Sequence, residues 1–137
     1  MLAASLAELI RTINHRSGRL PVEAVVVARH VTDVLAEIID GIADDAVPDV
    51  QAVVAVRGIV RDYLPTTLDR FLALDPATAA RPLPDGRTPA EQLAGQLDDL
   101  ATAAGDVLTA LRARDASDLV AQGSFLHTKF SRSDLDL

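Results

Sequence analysis

The chain has no cysteine and no tryptophan, a single tyrosine, a single methionine and three phenylalanines among 137 residues. Without cysteine there is no disulfide framework, no thiolate nucleophile and no thiolate metal site, which fits a reducing compartment. With so few aromatics the core has to be aliphatic, built from Ala, Val and Leu, a composition that favours helix-on-helix packing. The cations are twelve Arg and one Lys, a bias of the kind GC-rich bacterial genomes produce, and the net charge is −7. The loose cluster Arg11, His15, Arg16 and Arg19 is the longest basic grouping, so the field that nucleic-acid binding relies on is missing and no nucleic-acid partner is expected.

Long apolar runs are missing too. Glu8 and Arg11 interrupt the first helix pattern, which therefore does not read as a secretory signal. The longest purely apolar run, residues 24–28, is far short of the roughly 20 residues that span a bilayer. The expectation is a soluble, cytoplasmic protein. Residues 1–19 form an amphipathic segment for which a membrane surface is the rival of an ordinary core-facing role, since Arg11, Arg16 and Arg19 would meet anionic lipid.

Catalytic signatures are likewise absent. His15, His30 and His127 stand apart, with none of the spacing of H-E-x-x-H. Asp40, Asp44, Asp45 and Asp49 crowd one turn but lack the order and terminal glutamate of a calcium loop. Glu37, Asp98, Asp99 and Asp106 lack the E-x-x-H repeats of a di-iron bundle. No serine lies in G-x-S-x-G, and no glycine pattern makes a phosphate cradle. A weak anion site is conceivable where Arg57, Arg61 and Tyr63 gather beside Pro65. No catalytic, cofactor-binding or metal-ligating residue is assigned, and no cofactor is expected.

What is present is helical periodicity. Leu2, Leu6, Leu9, Ile10 and Ile13 line one face of a helix over about 3–15, ended by Ser17 and Gly18. Pro21 and Glu23 open a second helix reaching about Ile42, with Val27, Val31, Val34, Leu35, Ile38, Ile39 and Ile42 on its stripe and Thr32 off it. A third begins near Pro48 and turns Val50, Val53, Val54, Val60, Tyr63 and Leu64 inward, then meets Pro65. Proline lacks the amide hydrogen that the Arg61 carbonyl would receive, so a kink or restart costing about 3 kcal/mol is expected. Leu68, Phe71 and Leu72 continue the apolar face. Residues 75–87, rich in proline, read as a loop without regular structure. Thr88, Pro89 and Glu91 form a capping box that starts a long last helix with the seam Leu93, Leu97, Leu100, Ala104, Val107 and Leu111. Gly105 is expected at a close helix crossing and Gly123 at the helix end, followed by a short segment over 125–130 and a flexible tail over 131–137.

The run Tyr63, Leu64, Pro65, Thr66, Thr67 and Leu68, with the apolar helix after it, the aspartate-rich last helix and the ending Leu135, Asp136 and Leu137, resembles the XpaC family, also called 5-bromo-4-chloroindolyl phosphate hydrolysis proteins. The likeness covers about Val50 to the C-terminus. It implies a helical bacterial protein, of a kind often carrying N-terminal membrane segments and found near tellurite or toxic-anion resistance proteins. The family name suggests phosphate-ester hydrolysis. The shared motif is a structural bend, so no catalytic residue carries over to any position.

The combined expectation is an all-α single domain over 1–137, a bundle of four main helices with the third kinked at Pro65 and a long last helix. It is expected to be a bacterial interaction or scaffold module without catalysis, forming homo-oligomers or pairing with partner helices and tied to envelope or toxic-anion stress. The rival readings are a phosphate-ester hydrolase and a ligand-binding helical regulator.

Overall fold

The computed structural model describes the backbone of residues 1–45, 47 and 49–135, and the side chains of all of these except 131–135. It is an all-α bundle with no strand among the described residues. In chain order the elements are α1 (Leu2–Arg16), a 3₁₀ turn (Ser17–Arg19), α2 (Val22–Asp44), α3 (Val50–Gly58), a π-helical turn (Ile59–Tyr63), α4 (Leu64–Leu72), α5 (Pro76–Ala79) and α6 (Pro89–Leu135). The π-turn joins α3 and α4 end to end, so four rods surround the core. The start of the third helix at Pro48, and the tail residues Asp136 and Leu137, lie outside the described residues.

Aliphatic stripes at three-and-four spacing meet in the centre. From α1 come Leu6, Leu9 and Ile13, from α2 Val31, Leu35 and Ile38, and from α6 Leu93, Leu97, Ala104 and Leu111, all buried. The apolar face of α1 is thus used inside the core. Thr32, expected off the α2 stripe, is in fact buried; its hydroxyl donates to the Arg29 carbonyl at 2.8 Å, which satisfies it without help from another helix.

The third helix departs from its expected phase. Val50, Val54 and Tyr63, expected inward, are all more than 60% exposed, whereas Val60, Leu64, Leu68 and Phe71 are buried as expected, together with Ala52, Val56 and Ile59. The cause is the π-turn. The Leu64 amide donates to the Ile59 carbonyl, five residues back, and Pro65 has no amide to give. One wide turn therefore absorbs the proline and resets the face that points inward, as π-bulges do inside α-helices. The Tyr63 ring folds back over Gly58, its Cε2 standing 3.3 Å from the position of a Cβ there.

Caps fix the remaining ends. The Thr88 hydroxyl accepts from the Glu91 amide at 3.1 Å, as the capping box expects for α6, and the Glu91 carboxylate accepts from the Thr88 hydroxyl rather than from its backbone amide. The loop over 75–87 is less irregular than its prolines suggest. Pro76 sits at the first helical position and Asp75 accepts from the Thr78 amide, so one turn, α5, forms there. Helix α6 also outruns its expected end. Gly123 neither ends it nor starts a separate segment, and the helix continues to Leu135, 47 residues in all and about 70 Å long.

Candidate functional site

Two features stand apart from ordinary packing. The first is the far half of α6. Among the residues whose side chains are described, Leu111 is its last buried one and every residue over 112–130 is exposed, so about 28 Å of the helix stands clear of the core. Two ion pairs grip its root. Arg112 reaches Glu37 on α2 at 2.6 Å, and Arg114 reaches Asp49, the N-cap of α3, at 3.3 Å. Positions 112 and 114 lie about 200° apart around a helix, so the two arginines hold opposite flanks of the rod.

Beyond the grip the rod carries apolar side chains in water. Leu119 is 74% exposed, Val120 69%, Phe125 62% and Phe130 63%. Leu119, Gly123, Leu126 and Phe130 follow steps of four, three and four and share one face. Short sequence windows did not reveal this stripe, because a glycine occupies one of its positions and was read as a stop.

The second feature is a groove of about 340 Å³ between α1 and the bent helix. One bank is the row Glu8, Thr12, Arg16 on α1, and the other is Arg61, Pro65, Asp69 across the π-turn and α4. Ile13 and Leu68 are part of its apolar floor. Arg61 of the conceived anion site is thus on the groove, whereas Arg57 and Tyr63 do not line it.

The remaining titratable candidates are dispersed. His15, His30 and His127 are exposed on three different helices, and Asp40, Asp44, Asp98, Asp99 and Asp106 face solvent. Among the described residues no group of three histidine or carboxylate side chains is placed to hold a metal ion, and no helix is long and apolar enough to cross a membrane. Asp49 is the acidic residue of that turn with a defined task. The Ala52 amide chiefly holds its carboxyl below the usual value against desolvation, and the Arg114 guanidinium adds to the lowering.

The chain matches no protein-family model, no curated protein and no solved structure.

Proposed function

We propose that the protein is a non-catalytic interaction module whose bundle presents the far half of α6 as a docking rod, and that the rod pairs with a second copy of itself. The observation that carries this reading is the row of exposed apolar side chains at helical spacing beyond Leu111, on a rod gripped at its root from two flanks. Contiguous exposed apolar surface of this kind marks association surfaces.

The four-three-four spacing of Leu119, Gly123, Leu126 and Phe130 reads the same from either end. Laid antiparallel on a twofold axis, Leu119 meets the second copy's Phe130 and Gly123 meets its Leu126, small against large at the second pair, as a self-complementary interface allows. The antiparallel order also sends two bundles, each belonging to a chain of net charge −7, to opposite ends. Half-burying the three side chains Leu119, Leu126 and Phe130 from each copy gives on the order of 4.5–9 kcal/mol, comparable with the roughly 4–15 kcal/mol that association costs. The pairing is therefore concentration-dependent.

The resemblance to the XpaC family extends this reading to a scaffold role in the bacterial cytoplasm, linked to envelope or toxic-anion stress. The alternative of a ligand-binding regulator is favoured by the groove between α1 and the bent helix. Sedimentation velocity on the full chain from about 1 µM to about 1 mM tests the pairing. A monomer-to-dimer shift that Leu126→Glu abolishes, with helical content unchanged, supports it. A chain that stays monomeric throughout removes it.

A further inference from the structure

The groove's charges are arranged as two opposed couples. Glu8, Thr12 and Arg16 follow one another at intervals of four along α1, and Arg61, Pro65 and Asp69 do the same on the facing helix. The two helices run in the same direction, since the Arg19 guanidinium, just past the end of α1, donates to the Leu72 carbonyl at the end of α4 at 2.8 Å. Glu8 therefore belongs to the Arg61 end of the groove and Arg16 to the Asp69 end.

Each end thus holds a carboxylate and a guanidinium, and neither couple closes. Arg112 and Arg114 make their ion pairs elsewhere, and none of the four groove charges takes part in an ion pair among the described residues. Between the ends the bend alters the backbone bonding of two lining residues. Leu64 donates past Val60 to Ile59, and Pro65 donates nothing, so the carbonyls of Val60 and Arg61 lack their usual donors four residues on. Thr12 gives its hydroxyl proton to the Glu8 carbonyl and keeps its lone pairs for another donor. Local π geometry of this sort recurs at functional sites.

We propose that this groove binds a short apolar peptide, two to four residues long, with both termini free. Residues eight apart on a helix are separated by about 12 Å, and three extended peptide residues cover about 10 Å. An ammonium at one end meets a carboxylate, and the peptide carboxylate at the other end takes a bidentate bond from a guanidinium. Peptide N–H groups face the wall at the bend, and an aliphatic side chain lies on Ile13 and Leu68. The volume falls at the small end of the range of about 300–1,000 Å³ that ligand sites occupy.

The proposal rests on the groove alone and stands apart from pairing through α6. The test is a backbone-amide NMR titration of the full chain with alanyl-leucyl-alanine, beside its N-acetylated and C-amidated forms. The expected result is saturable shifts of the amides at Thr12, Arg61 and Leu68, with binding weakened about tenfold or more by blocking either terminus. The double variant Glu8→Gln with Arg61→Gln, which removes both charges of one end at exposed positions, should weaken it similarly, and Arg112→Gln should not. Absence of saturable groove shifts up to about 10 mM peptide overturns the proposal, as does binding of the blocked forms, or binding by the Glu8/Arg61 double variant, as tight as that of the free peptide to the parent chain.

Discussion

Leu111 packs against Gly41 so closely that its Cδ2 lies 3.2 Å from the position a Cβ on Gly41 would take. This contact between α2 and the last buried residue of α6 is the close crossing of the bundle, whereas Gly105, where a crossing was expected, has nothing within 4 Å of its Cβ position. The two glycines should therefore respond in opposite ways. Gly41→Leu is expected to destabilise by about 1–3 kcal/mol through overpacking. Gly105→Ala should stabilise by about 0.5–1 kcal/mol through helix propensity. Urea unfolding followed by circular dichroism reads both; a stabilised Gly41→Leu would show that the contact is not tight.

Position along α6 should decide the effect of truncating a leucine. Leu97 is fully buried, and Leu97→Ala is expected to cost about 2–5 kcal/mol. Leu119 lies on the rod, and Leu119→Ala should change the unfolding free energy at low micromolar concentration by about 0.5 kcal/mol or less. The same variant should weaken self-association at high concentration, so the two measurements separate packing from pairing.

Arg112 and Arg114 are expected to matter for direction more than for stability, since their ion pairs are partly or largely solvent-exposed. Replacing both by Ala should leave the melting temperature nearly unchanged while freeing the rod. Spin labels at positions 40 and 121 should then give a broadened distance distribution. An unchanged, narrow distribution would mean that helix stiffness alone sets the direction of the rod.

Acid should unfasten the caps of α3 and α5 selectively. Asp49 is held below the ordinary value of 3.8 chiefly by the Ala52 amide, and Asp75 below the same value by Thr78. A carboxyl whose pKa is lower in the folded chain than in the unfolded one contributes stability above the unfolded value, and that contribution disappears as pH falls through the folded value. Melting temperature is thus expected to drop below about pH 3.8 more steeply in the parent chain than in Asp49→Asn. Parallel curves for the two would show that Asp49 does not report on folding.

The legible parts of this fold were those where one helical phase persists. The α6 seam from Leu93 to Leu111 and the α1 face through Leu6, Leu9 and Ile13 were readable because an unbroken α-helix carries its apolar stripe along a predictable line. In the third helix that reading held at Val60, Leu64, Leu68 and Phe71 but not at Val50, Val54 and Tyr63. Val56, Val60, Leu64 and Leu68 recur every four residues, a step that rotates an ideal α-helix by about 40° each time. Only the wider π-turn keeps them on one core, and extending a single α phase toward Val50, Val54 and Tyr63 chose solvent-facing positions. Of the groove, Arg61 was within reach of the sequence because it lies one turn before Pro65. Its partners Glu8, Arg16 and Asp69 were not, since they come from a helix some fifty residues away or from beyond the bend.

The amino-acid order by itself determined that the chain is helical, where α6 begins and which aliphatic stripes can form a core, because propensity, capping and periodicity act within a few residues. Tertiary structure alone decided how Pro65 is absorbed, that α1 and the bent helix run side by side with their charges unpaired, and that α6 leaves the bundle after Leu111. Those outcomes depend on which faces compete for one core. Once α2 and the bent helix have covered the near half of α6, the described residues of its far half, over 112–130, are left exposed.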